Sequence, residues 1–129
     1  MKEDEVLRVQ DYLEHIELAI ARICRYVAGL DRASFLVNEE KQDAVIRNIE
    51  IIGEAAQSIR RRHPEFAARH PEIPWGGVYG MRNAIAHGYF TVDLGIVWKT
   101  VCEDLPTLAE QVRALRVALQ KNPSTGNCN

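Results

Sequence analysis

Eight consecutive residues bring together an arginine, an amide, an imidazole and a phenol: Arg82, Asn83, His87 and Tyr89, within Met81-Arg82-Asn83-Ala84-Ile85-Ala86-His87-Gly88-Tyr89-Phe90. A guanidinium is always charged, and its planar fork of donors matches a phosphate. An imidazole gains and loses a proton near neutral pH. The set therefore suits phosphodiester chemistry. In RNA cleavage by internal transesterification, a base takes the 2′-OH proton and an acid protonates the leaving 5′ oxygen. A cation stabilises the charged phosphorane between them. His87 can supply proton transfer and Arg82 the stabilising charge, while Asn83 orients the arginine or holds a phosphate oxygen.

The spacing makes two geometric demands. Arg82 and His87 are five residues apart, about 140° around an ideal helix, so both cannot face one small ligand if the helix simply continues. A left-handed Gly88 just after His87 would turn the chain and swing the imidazole toward the arginine; a helix C-terminus there would favour the imidazolium. One histidine is also meagre for two proton transfers, and a two-fold dimer presenting two copies of the motif supplies the second. The same residues fit a plainer reading: a surface arginine, then a histidine capping backbone carbonyls at a helix end.

Apolar periodicity supplies the helices that would position this motif. Val6, Val9, Leu13, Ile16, Ile20, Ile23 and Val27 recur three and four apart, which predicts a helix from about Glu3 to Val27 ended by Gly29. The linker Leu30 to Asn38 holds one short turn around Phe35 and Leu36. Asn38 then caps a second long helix with Glu39 and Glu40 in its first turn and a seam of Val45, Ile49, Ile52, Ala56 and Ile59. Gly53, beside that seam, either lets another helix approach closely or is a tolerated glycine costing roughly 1 kcal/mol relative to alanine. Arg60 to Ile73 reads as a loop marked by His63-Pro64-Glu65 and His70-Pro71-Glu72. Pro74 opens a third helix, with Trp75, Val78, Met81 and Ile85 on its apolar side and its end near His87. The last helix, from about Val92 to Leu119, has Leu94, Trp98, Val101, Leu105, Leu108, Val112, Leu115 and Leu119 as its seam, and Pro106 predicts a kink. No segment has a useful β period. The expectation is an all-α, antiparallel four-helix bundle with a short extra helical turn and a kinked last helix. Residues 1–121 form one domain, and 122–129 a disordered tail.

Composition bounds the function further. The chain has 129 residues, 47% hydrophobic and 26% charged, as expected of one globular domain. Its net charge of −2 provides no global field for nucleic acid, so any RNA binding must come from a local patch or a surface made by assembly. The cysteines, Cys24, Cys102 and Cys128, suggest neither a disulfide framework nor a zinc site; Cys24 and Cys102 read as small core residues. The acidic start lacks the apolar run of a signal peptide, and no stretch approaches a membrane span. A cytoplasmic location follows as the expectation.

Other chemistry-bearing residues admit more than one role. Arg60, Arg61 and Arg62, with Arg69, could widen an RNA-binding groove through phosphate contacts. Equally, arginines at a helix C-terminus favour the dipole and are simply solvated. Tyr79 and Phe90 could stack on a base or pack in the core. Glu50 and Glu54 share a face and could approach Arg82 or form a metal pair, but Arg47, a turn before Glu50, makes an intrahelical ion pair the simpler account. His15 lies among polar residues and should be exposed.

Longer blocks carry a family resemblance. Lys41-Gln42-Asp43-Ala44-Val45-Ile46-Arg47-Asn48-Ile49-Glu50-Ile51-Ile52-Gly53-Glu54-Ala55 resembles the second-helix signature of HepT proteins, and Pro71-Glu72-Ile73-Pro74-Trp75 the segment leading into their motif helix. Arg82-Asn83, Ala86-His87-Gly88-Tyr89-Phe90 and Val92-Asp93-Leu94 with Val97-Trp98 resemble the motif and the following helix, in the family's order. Arg-x4-His-x-Tyr is similar to the motif of HEPN-domain ribonucleases of the HepT type. The resemblance implies a HEPN-like fold and a metal-independent, cofactor-free endoribonuclease toxin of a toxin–antitoxin system. It implies a homodimer cleaving RNA at a composite site between protomers. Arg82 and His87 match the catalytic pair and Asn83 the polar position after the arginine. Tyr89 matches the tyrosine to which a nucleotidyltransferase antitoxin of the MntA type transfers AMP. Such AMP would place bulk and negative charge two residues from His87 and block an RNA phosphate. By position alone, Tyr89 would be an amphipathic aromatic at a helix boundary. The rival reading is a non-catalytic helical adaptor that binds a nucleotidyltransferase.

Overall fold

The computed structural model describes residues 2–87 and 91–121, with the backbone alone at 86, 87 and 91. Gly88, Tyr89, Phe90 and the tail 122–129 lie outside the described residues. Helix α1 runs Glu3–Val27, the bounds its seam predicts, with Glu3, Asp4 and Glu5 in the first turn, where the dipole favours acids. It ends before Gly29, whose φ of 81° is a conformation L side chains rarely adopt. The predicted short turn is α2, Arg32–Leu36, capped by Asp31, whose carboxylate accepts from the Ser34 N–H and hydroxyl, both at 2.8 Å. Those bonds, the backbone one first, hold the Asp31 carboxyl below its ordinary pKa.

Helix α3, Glu39–Arg62, is capped as expected by Asn38, whose Oδ1 accepts from the Lys41 N–H at 3.1 Å. It is the central element, packed against α1 on one side and α5 (Trp75–Ile85) on the other. Val9, Leu13, Ile16 and Ile23 of α1 meet Val45, Ile49, Ile52 and Ile59 of α3 in one core, all fully buried. Two polar residues inside it are bonded: Gln42 Nε2 donates to the Phe35 carbonyl at 2.9 Å, and Asn48 Oδ1 accepts from Arg22 at 3.3 Å. Across the bundle, Arg116 clamps the last helix to α1 through a two-pronged bond to the Glu17 carboxylate.

The expected loop from Arg60 to Ile73 is largely helical. Helix α3 continues to Arg62, and α4 spans Pro64–Arg69. Pro64 begins a helix here because its missing N–H falls where no intrahelical partner exists. The Trp75 indole then donates to the carbonyls of Ala67 (3.2 Å) and His70 (3.1 Å), fixing the start of α5. The kinked last helix is α6 (Leu94–Lys99), a π-helical turn (Thr100–Asp104) and α7 (Leu105–Lys121). The wider turn lies directly ahead of Pro106, whose ring would otherwise crowd the carbonyl four residues earlier. Cys24 and Cys102 are exposed, not core: Cys24 is one residue off the buried Ile23 and Cys102 one off Val101, which turns both away from the seams. His15 is exposed, as expected. No helix among the described residues is long and apolar enough to cross a membrane.

Gly53 marks the α3–α5 contact. A Cβ built there would stand 3.4 Å from the Tyr79 carbonyl oxygen and 3.6 Å from the Tyr79 Cα. One methyl therefore fits and larger side chains do not. Gly53→Leu should lower unfolding free energy by roughly 1–3 kcal/mol through overpacking, while Gly53→Ala should match or exceed the parent. Denaturant melts of both variants check this, and a Leu variant as stable as the parent would refute the close contact.

Candidate active site

Helix α5 buries Trp75, Val78 and Ile85 and leaves Arg82 half-buried and Asn83 exposed on its last turn. Arg82 is four residues after Val78 and three before Ile85, so it lies on the buried stripe at the end of the core, while Asn83 is turned about 100° further round. Among the described residues Arg82 makes no hydrogen bond or ion pair. Its guanidinium is available to an anion.

The helix does not run to His87. It stops at Ile85, and Ala86–His87 form a short strand, β1, paired antiparallel with β2, Thr91–Val92. The register sets Ala86 opposite Val92 and His87 opposite Thr91. The reversal therefore starts two residues earlier than expected and is carried by this ladder. The expected left-handed turn at Gly88 lies outside the described residues, as does Tyr89. His87 leaves the helical path, so the 140° separation of an ideal helix no longer applies.

Asp93 closes the reversal. Its N–H donates to the Ile85 carbonyl at 2.7 Å, and its carboxylate caps α6 by accepting from the Ile96 N–H at 3.1 Å. Arg32 of α2 reaches the same corner, its Nη2 3.2 Å from where a Cβ on Gly95 would stand. The rings of Phe35 and Trp98, 5.2 Å apart, tie α2 to α6. Sequence reasoning placed Asp93 in a family block without giving it a role. An Asp just before an apolar helix is an N-cap signature that could have done so.

The three adjacent arginines diverge. Arg60 lies over Gly76 in the first turn of α5, Arg62 donates to the Tyr12 hydroxyl on α1 at 3.3 Å, and Arg61 is exposed. Arg60 thus borders the motif helix. Glu50 stands 3.9 Å from Arg47 on α3, the expected intrahelical pair. Among the described residues, no group of three or more His, Cys, Asp or Glu is placed to hold a metal ion. An open trough of about 480 Å³ runs between α5 and the π turn and α7, over Val78, Met81 and Leu108. A second space of about 500 Å³ continues it past Gly80 and Ala84. Met81 and Arg82 are consecutive, about 100° apart around the helix, so the trough flanks the arginine's face without containing it.

The family described as Ribonuclease HepT-like matches residues 16–115. A protein of Thermococcus cleftensis named "Probable ribonuclease HepT" is 43% identical over 107 residues, 83% of this chain and 94% of that protein. A Caldanaerobacter subterraneus subsp. tengcongensis protein provisionally named an RNase is 34% identical over 81% of this chain and 90% of that one. A Methanocaldococcus jannaschii protein named for gamma-glutamylcyclotransferase and, provisionally, RNase is 39% identical over 88% of this chain, which spans 50% of that protein. No solved structure matches the chain.

The Asp93 cap yields a test of the corner after the motif. Asp93→Ala should lower stability by roughly 0.5–2 kcal/mol, and Asp93→Asn, which keeps a capping oxygen, should lose much less. Thermal and denaturant unfolding of the two variants measure it; equal losses would show that the cap is not what the aspartate contributes.

Proposed function

The chain belongs to the HepT-like ribonuclease family, and from that premise we propose that it is an endoribonuclease toxin acting on RNA at a composite site built by two copies of the chain. The observation that carries the reading is Arg82: a half-buried arginine with no partner among the described residues, one turn ahead of the reversal that takes His87 off the helix. An arginine can bury its stem against a helix while its guanidinium stays accessible, and a positioned guanidinium with free donors fits a function in binding an anion.

In the proposed reaction the 2′-OH loses its proton to one His87 and attacks phosphorus. The P–O5′ bond breaks, and the leaving oxygen takes a proton from a second imidazole. The products are a 2′,3′-cyclic phosphate and a 5′-OH. Arg82 stabilises the phosphorane and Asn83 holds a non-bridging oxygen or orients the guanidinium. The second His87 comes from a two-fold partner, whose isologous packing brings identical motifs together. No metal or cofactor enters this scheme. A nucleotidyltransferase antitoxin of the MntA type would silence the site by transferring AMP to Tyr89, adding bulk and negative charge beside His87. The proposed setting is cytoplasmic.

Removing the imidazole in His87→Ala should cut RNA cleavage by roughly 10²–10⁴-fold, and Arg82→Ala by at least about 10²-fold, with dimer formation and nucleotidyltransferase binding retained. Cleavage of labelled RNA with sizing of the oligomer tests both. Cleavage unchanged in His87→Ala would move the reading to an adaptor that binds the nucleotidyltransferase without catalysis.

The switch is tested separately by intact mass after co-expression with a minimal nucleotidyltransferase. AMP increments mapping to residue 89, absent from Tyr89→Phe, are expected, with cleavage confined to the unmodified protein. Unmodified protein under those conditions, or full activity of the modified form, would remove the AMP switch from the proposal.

A further inference from the structure

We infer that Arg60, seated over Gly76, binds a second phosphate of the RNA strand whose scissile phosphate meets Arg82; this rests on the ribonuclease reading above. A Cβ built on Gly76 would lie 2.8 Å from Arg60 Nη1, so a side chain there would push the guanidinium aside. The missing side chain is therefore what lets this guanidinium lie on the motif helix. Arg60 is exposed and makes no hydrogen bond or ion pair among the described residues, so its donors are free. Arg62 and Arg69 differ. Each donates within the fold, Arg62 to Tyr12 and Arg69 to the Glu65 carbonyl at 3.4 Å.

The surface between Arg60 and Arg82 suits a strand. Gly76, Tyr79 and Asn83 are spaced i, i+3 and i+7, so they share one face of α5. That face offers a half-buried phenol and an exposed amide, and α5 contains no acidic residue. Of the nearby carboxylates on α3, Glu50 is opposed by Arg47, and exposed Glu54 is six residues from Arg60, about 9 Å along the axis. Gly76 and Arg82 are likewise six residues apart, about 9 Å along α5. We assign the two cations, offset by that rise along the helix, to different phosphates of the same strand. The lane runs beside the motif and away from the apolar trough.

The test is direct binding, measured by anisotropy of a labelled single-stranded RNA of about a dozen nucleotides, in a His87→Ala background so that the RNA stays intact. Arg60→Ala should weaken binding about tenfold and reduce the slope of log K against log salt by about 0.7, one phosphate contact on a single strand. Arg60→Lys should restore part of both. Gly76→Ala keeps the charge but shifts the guanidinium, so it should weaken binding with an unfolding midpoint at or above the parent's. Arg113→Ala, an exposed arginine on α7, controls for loss of charge alone and should leave both quantities as they were.

Affinity and slope unchanged in Arg60→Ala, or changed equally in Arg113→Ala, would overturn the inference. So would a Gly76→Ala variant indistinguishable from the parent. Failure of the ribonuclease reading looks different: the parent would cleave no RNA while the Arg60-dependent binding persisted.

Discussion

The placement of the motif depends on α5 lying against α3. At eleven residues α5 is shorter than an isolated helix needs for stability in water, and it contains three glycines, Gly76, Gly77 and Gly80. Its helicity therefore comes from burial of Trp75, Val78 and Ile85, not from its own residues. The backbone of α5 can come close because position 53 on α3 has no side chain. At one end the Trp75 indole is bonded to the chain emerging from α4, and at the other the Ile85 carbonyl is bonded to Asp93. Arg82 lies between those two anchors. Its position is set by contacts made elsewhere on the same helix.

His87 is held differently. A ladder of two residue pairs is too small to stand alone, so the reversal depends on the corner at the start of α6. Asp93 joins the end of α5 to that start, and α6 is held to α2 through Phe35 and Trp98. The two halves of the motif thus rest on different supports, a core helix for Arg82 and a capped corner for His87. Regions secured by few buried contacts are where local opening is cheapest, which suits the half of the site that the proposed reaction asks to meet a second copy or a modifying enzyme.

The long helices are legible in the sequence because their seams repeat without interruption: α1 is found at its predicted bounds, and α3 begins at the predicted Asn38 cap. Signals with two meanings are harder. Pro64 reads as a loop breaker or a first-turn residue, and the structure uses it as the latter, while Pro106 shows itself as a π turn upstream of the proline. Ile85-Ala86-His87 continues a helical pattern, yet the chain leaves the helix at Ile85 because Asp93 takes its carbonyl. That pairing spans eight residues, and periodicity cannot show it. Cys24 and Cys102 depart from expectation for a related reason: each is next to a seam without being on it, a difference of about 100° around the helix. Of the motif, the residue types, their spacing and the need for a turn are legible, but not the ladder that makes it.

Glycines that look like weak points in these helices turn out to seat cations. Gly76 admits Arg60 to the surface of α5, and Gly95 admits Arg32 to the corner made by Asp93. With a net charge of −2 the chain exerts no long-range pull on a polyanion. Screening at physiological salt confines each charge to about 8 Å, so any affinity for RNA must come from individual guanidiniums placed where phosphates can reach them. A side chain as long as arginine has many rotamers to lose on binding, and resting it in a glycine notch removes part of that cost beforehand. On α5 the notch and the motif share one acid-free helix, so a locally cationic surface arises on an acidic protein without any excess of basic residues.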